Sequence, residues 1–228
     1  MTARAAGLQG FGLIFYGDSI TESWRGTSAM RPAEQYAGNR AAFAQHFETK
    51  FNAAALGVSG DQLPHLLWRL AHGEFPDRHP PKLAVLLIGT NDLAWARHQG
   101  ESRGGGGGDA MAEAVPGVAR EVLRAVHFIQ ARAPATKVLL LGLLPRGDER
   151  GLRQPSLFSP AIQEVNMHFE QYASQDGRVE YLDCTASLLV KGGGAIDEAK
   201  MPDGLHPAGP GAQALARCLR PVVERLMA

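Results

Sequence analysis

The feature that most restricts the fold of this chain is an apolar run, Phe11 to Tyr16 (FGLIFY), that halts at Gly17, Asp18 and Ser19. Six branched and aromatic residues have the length of a buried strand, and a glycine then lets the backbone turn. Ser19 is therefore expected at the carboxyl end of a strand. In open parallel α/β sheets the ligand crevice lies outside those ends, so a side chain there meets solutes while a rigid element holds its backbone. A serine hydroxyl becomes a useful nucleophile only when a base takes its proton and donors stabilise the resulting oxyanion. Taken alone, Gly-Asp-Ser reads as an ordinary turn, and its meaning depends on what stands at the other strand ends.

Along the chain, Pro32 to Phe47 carries Tyr36, Phe43 and Phe47 among alanines and suits a helix, and Phe51 to Leu56 reads as a second short strand. The turn GVSGD, residues 57–61, follows, and then Leu63, Leu66, Leu67 and Leu70 recur at helical spacing. Leu83 to Ile88 (LAVLLI) is a continuous apolar run of the kind found in central parallel strands, and it too ends at a glycine, in GTND at 89–92. Five glycines, Gly104 to Gly108, precede a helix expected from about Ala110 to Ala131. They lack the Lys-Ser/Thr signature of a phosphate loop and do not directly follow a strand, so the run reads as a flexible surface insertion. Lys137 to Leu141 is a fourth buried-type strand, Ser159-Pro160 starts a helix to about Ser174, Arg178 to Asp183 is a fifth strand, and Ala212 to Leu226 is an amphipathic closing helix. Five short strands alternating with helices imply a three-layer α/β/α sandwich around a parallel sheet, in one domain spanning residues 1–228.

Charge narrows the partners. Lysine plus arginine and aspartate plus glutamate number 23 each, so there is no electrostatic footprint for nucleic acid or an acidic membrane, and a small-molecule partner is expected. The N-terminal MTARAAGLQG has no apolar h-region and no later run reaches membrane-spanning length, which reads as a soluble, cytoplasmic chain. Cys184 and Cys218 stand far apart outside any Cys-x-x-Cys pattern. Neither a disulfide framework nor a zinc site is implied, and two buried free thiols are expected.

Five residues now stand at strand ends or in late loops: Ser19, Gly60, Asn91, Asp203 and His206. Asp203 and His206 lie three apart in a loop broken by Pro202, Gly204 and Pro207, so the carboxylate could orient one ring nitrogen while the other faces the serine. A glycine lets a backbone amide approach a substrate closely, and an asparagine amide donates without carrying charge. In order and spacing, GDSI (17–20), SGD (59–61), GTND (89–92) and DGLH (203–206) resemble the four motif blocks of the SGNH (GDSL-type) hydrolases, over nearly the whole chain. That resemblance implies a flavodoxin-like fold, no cofactor, Ser19 as nucleophile, His206 as base and Asp203 as its orienter. It also implies an oxyanion hole made by the Ser19 and Gly60 amides and the Asn91 side chain.

Within that family, LLWRLAHGEFP (66–76), PPKLAVLLIGTN (80–91) and LGLLPRG (141–147) are similar to the catalytic subunits of type I, intracellular platelet-activating-factor acetylhydrolases. The similarity implies an acetyl-ester substrate and homodimerisation. The chain departs from the subgroup in its glycine run and in Asp92, where the subgroup usually has a second asparagine. Other members cleave acetylated sugars, lysophospholipids or thioesters, and these remain alternatives. Two further readings stay open: a metal hydrolase using Asp18, Asp203 and His206, for which no third strong ligand has a recognisable spacing, and a non-catalytic subunit that keeps the fold. Ser59 in GVSGD is read as a turn residue because Asp61 replaces the last glycine of a Gly-x-Ser-x-Gly elbow. Asp18 is read as fixing its turn through backbone hydrogen bonds.

Overall fold

The computed structural model describes residues 10–228, so the first nine residues of the N-terminal segment read above lie outside it. Five strands form one all-parallel sheet: β1 (Leu13–Gly17), β2 (Ala53–Gly57), β3 (Leu83–Leu87), β4 (Lys137–Leu141) and β5 (Val179–Leu182), in the order β2-β1-β3-β4-β5. All five residues of β1 and of β3 are buried, as expected of runs apolar on both faces. The helices are α1 (Ser19–Ser23), α2 (Ala37–Phe43, continued in a wider turn to Phe51), α3 (Leu63–Arg69), α4 (Thr90–Ser102), α5 (Gly107–Arg132), α6 (Ser159–Ala173) and α7 (Pro210–Met227). They pack as two layers, α2 with α7 and α5 with α3, α4 and α6, giving the expected three-layer α/β/α sandwich. Phe15 of β1 seats α2, its ring centroid lying 5.4 Å from that of Phe43 and 5.1 Å from that of Phe47.

The chain passes from β1 to β2 on one side and then places β3 on the other side of β1. That reversal opens a crevice at the carboxyl ends of β1 and β3. Gly17 and Leu87 are cross-strand partners, so Ser19 and Asn91 leave neighbouring strands at that point. Close packing fixes the exit. A Cβ on Gly17 would lie 2.2 Å from the Leu87 carbonyl oxygen, and one on Gly57 would lie 2.3 Å from that of Asp18. Only glycine lets α1 sit this tightly on the strand ends.

The cysteine expectation is corrected. Cys184 and Cys218 are not free thiols but form a disulfide, with Cα atoms 6.0 Å apart. Cys184 follows β5 and Cys218 lies within α7, so the partners, 34 residues apart, meet only because α7 packs back over the sheet. Spacing along the sequence carries no trace of such a contact.

Several boundaries also differ. Helix α2 starts later than Pro32 because Arg31–Pro32 pairs with Thr27–Ser28 in a two-residue hairpin, with Ala29 and Met30 at positive φ in its turn. It then runs through Phe51 to the left-handed Asn52, which delays β2 to Ala53. GTND is a turn for one residue only, and α4 begins at Thr90. Of the glycine run, Gly104 to Gly106 make the turn between α4 and α5, while Gly107 and Gly108 are the first residues of α5.

Candidate active site

Ser19 is the first residue of α1, and Asp18 before it accepts the Ile20 amide on its side chain at 2.9 Å. This is the turn-fixing role expected of Asp18. The Ser19 Oγ lies 2.8 Å from His206 Nε2, and His206 Nδ1 lies 2.6 Å from Asp203 Oδ2. Asp203 Oδ1 also accepts the Leu205 and His206 amides, at 2.9 and 2.8 Å. Partial burial pushes the Asp203 carboxyl up, but the hydrogen bonds from the His206 ring and the two amides outweigh it and hold it at about 2. Asp203 is therefore an anion throughout the neutral range and fixes the tautomer in which His206 Nε2 faces the serine.

The loop that carries both residues is braced from two sides. Gly147 donates its amide to the Gly204 carbonyl at 2.8 Å, tying in the segment after β4. Asn39 of α2, buried, donates to the Pro207 carbonyl at 2.8 Å and to Ser23 Oγ at 2.9 Å, and accepts the Gly209 amide at 2.9 Å. One amide side chain thus joins the helix that carries the serine to the loop that carries the histidine.

Gly60 and Asn91 stand where β2 and β3 end. Gly60 has φ +83°, a conformation that suits glycine. Asn91 donates one amide hydrogen to the Asp61 carbonyl at 2.9 Å, which holds its side chain against the 57–61 turn with a second hydrogen to spare. Asp92 accepts the Leu63 amide on both oxygens at 3.2 Å, pinning the start of α3, and burial above all raises its carboxyl to about 6. Arg69 of α3 binds Asp61 Oδ2 through Nε at 2.8 Å, pairs with Glu74 and donates to the Gly17 carbonyl at 3.1 Å. It ties the end of β1 to the turn after β2. Asp18 is fully buried beside the serine. Burial raises its carboxyl to about 7 against the pull of the Ile20 amide and His206.

All five residues singled out in the sequence thus gather around the crevice. Four of the seven other histidines are hydrogen-bonded elsewhere: His46 with Gln213, His65 with the Gln62 amide, His72 with the Trp68 carbonyl and His127 with Tyr172. Among the described residues no three His, Cys, Asp or Glu side chains converge as metal ligands. A cleft of ≈ 610 Å³ borders the loop at Asp203, Gly204 and Leu205 and is walled by Arg146 and Phe158. A second, of ≈ 650 Å³, lies away from it between α6 and the end of β5 and contains none of the five, so its size is no guide to the chemistry.

The model of the GDSL-like lipase/acylhydrolase family matches residues 15–214, a span that holds every one of these positions. The chain belongs to that family. As a GDSL-like hydrolase it is a carboxylic ester hydrolase. Among its curated relatives, the human platelet-activating factor acetylhydrolase IB subunit alpha2 is 30% identical over 203 residues, covering 89% of this chain and 75% of the relative. The human alpha1 subunit is 29% identical over 177 residues, covering 78% and 66%. A GDSL-like lipase from Bacteroides thetaiotaomicron superposes with a TM-score of 0.68 at 22% identity, over 98% of this chain and 95% of that one. A mutant acetyl-xylooligosaccharide esterase from Geobacillus Stearmophilus does so with 0.63 at 18%, over 96% and 95%. At these identities the two structures share the fold.

What the sequence missed are the braces. Asn39 carries no motif, and although Arg69 and Gly147 fall inside the 66–76 and 141–147 stretches, nothing there discloses that they reach the Gly17 and Gly204 carbonyls.

Proposed function

We propose that this chain hydrolyses small-acyl esters, foremost acetyl esters of a lipid or other small molecule, through a covalent acyl-enzyme on Ser19, with residues 1–228 acting as one hydrolase domain. The observation that carries the reading is the continuous hydrogen-bonded line from Ser19 Oγ through His206 to Asp203, at 2.8 and 2.6 Å. His206 Nε2 takes the hydroxyl proton as Oγ attacks the ester carbonyl. Asp203 stabilises the imidazolium, and the Ser19 and Gly60 amides with the Asn91 side chain receive the oxyanion. The tetrahedral adduct collapses as His206 returns its proton to the leaving alcohol, and Oγ keeps the acyl group. Water then repeats the sequence and frees the acid.

The acetyl preference is drawn from relatives whose names state it, an acetylhydrolase subunit and an acetyl-xylooligosaccharide esterase. These names also keep a carbohydrate acetylester beside the lipid ester as substrate. Two measurements test the proposal. Ser19→Ala and His206→Ala should each lower turnover of nitrophenyl acetate on the order of a thousandfold or more while the protein stays folded, because both residues line the crevice and not the core. Retained turnover in Ser19→Ala ends the serine mechanism. A series of nitrophenyl esters from acetate to decanoate should peak at the short end, since a closed pocket excludes long chains, whereas an open apolar groove gains about 0.8 kcal/mol per methylene. A maximum at octanoate or beyond discards the acetyl reading alone.

A further inference from the structure

Glu22 lies three residues after Ser19, on the same short helix, and its carboxylate is fully buried. A buried carboxylate is costly unless it is well hydrogen-bonded, so its partners show what it is there to hold. Oε2 accepts both the backbone amide and the hydroxyl of Ser59, each at 2.7 Å. Oε1 accepts the Met30 amide at 2.6 Å and the Thr27 hydroxyl at 3.0 Å, with Arg25 Nη2 at 3.8 Å. Burial alone would push this carboxyl up, but the bonds from Ser59, Met30 and Thr27 overcome it and keep Glu22 below the ordinary range and charged. Arg25 in turn donates to the carbonyls of Ala55 and Gly57, at 2.7 and 2.9 Å, at the end of β2.

Ser59 immediately precedes Gly60. The turn that presents the Gly60 amide therefore has one anchor on Glu22 before it and another after it, where Asn91 holds the Asp61 carbonyl. Gly60 itself is exposed, at positive φ, with nothing near the place of a side chain. Left alone, such a glycine has more backbone freedom than any other residue. A preorganised oxyanion donor must have lost that freedom before the reaction begins.

We infer that Glu22 is a positioning residue that locks the 57–61 turn to the nucleophile's helix, so that the Gly60 and Ser19 amides point at one oxyanion. The inference rests on the proposed esterase function. It adds to it a buried carboxylate that touches neither substrate nor reacting atoms and acts through Ser59. Because Glu22 joins α1 directly to the turn after β2, any movement of one carries the other, and the two backbone donors keep their separation.

The test compares Glu22→Gln and Ser59→Ala with the wild type. Glu22→Gln keeps the shape but replaces one accepting oxygen by a donor that faces the Ser59 amide or the Met30 amide. Its kcat on nitrophenyl acetate should fall about ten- to a hundredfold, with KM within about threefold and the pH midpoint of kcat unmoved, since His206 and Asp203 are untouched. The NMR order parameter of the Gly60 amide should drop from a rigid value near 0.85 to below about 0.6. Ser59→Ala leaves the amide-to-carboxylate bond and should lower kcat about three- to tenfold, and it serves if Glu22→Gln fails to fold. A folded variant with reduced thermal stability but wild-type kcat and a rigid Gly60 makes Glu22 purely structural and overturns the inference. The order parameter is read without substrate, so an absence of Ser19-dependent turnover in the wild type would sink the esterase reading and still leave the role of Glu22 decided.

Discussion

His206 and Asp203 share one short loop, with Asp203 exposed and its carboxylate bonded, among the described residues, to its own neighbours at positions 205 and 206. Gly60 and Asn91 are held differently: their turn and helix are tied by Glu22, Arg69 and Asp92 to partners on other segments, and Glu22 is fully buried. The Asp203–His206 side of the crevice is local in sequence and exposed, whereas the Gly60–Asn91 side is assembled at long range and, although Gly60 itself is exposed, is held by a buried brace. Electrostatic interactions are stronger and less replaceable where water is excluded. A local, exposed pair can borrow water when one member is lost, whereas a geometry set by a buried carboxylate brace is not rebuilt by water.

Single substitutions should expose that asymmetry. Asn91→Ala removes a proposed oxyanion donor from the long-range side, and turnover should fall about a hundred- to a thousandfold, roughly 2.7 to 4 kcal/mol, with little change in KM. A change confined to KM would make Asn91 a binding residue and erase the distinction.

Asp18 sharpens the comparison through pH. Its folded carboxyl is raised from 3.8 to about 7, mainly by burial. The native state therefore holds a proton that the unfolded chain releases, and stability declines as pH rises from about 4 to about 7. Asp18→Asn cannot ionise and escapes the decline. Its stability relative to the wild type should rise across that window, by about 2 to 4 kcal/mol at most, and level off above it. A difference independent of pH in denaturant unfolding would show that burial does not hold Asp18 neutral.

The smallest effect is expected on the exposed side. Asp203→Ala should cost about ten- to a hundredfold in turnover, less than Asn91→Ala, because water can reach the freed Nδ1–H and still orient the ring. If Asp203→Ala proves as damaging as His206→Ala, exposure does not buffer the loss and the comparison fails.

The same division explains what the sequence made legible. Alternating apolar runs and glycine stops disclosed the five strands, and Asp203 and His206 could be paired because they sit three residues apart. Ser19, Gly60 and Asn91 stood out because each closes a strand with a short polar turn. Glu22 and Asn39 stayed hidden since their partners Ser59 and Pro207 lie 37 and 168 residues away, as did the reach of Arg69 to the Gly17 carbonyl 52 residues away, and no local pattern encodes those meetings. The disulfide was missed for that reason too. Such pairs persist in oxidising compartments and are kept reduced in the cytosol, so the state of Cys184 and Cys218 in cells reports where the chain resides.

The central claim is that Ser19 carries the acyl group, and it can be weighed directly. Incubation with a fluorophosphonate, followed by peptide mass spectrometry, should add one adduct on the peptide containing Ser19 and none in Ser19→Ala, with labelling slowed in His206→Ala. Failure of the wild type to label, or an adduct on another residue that survives in Ser19→Ala, would contradict the account.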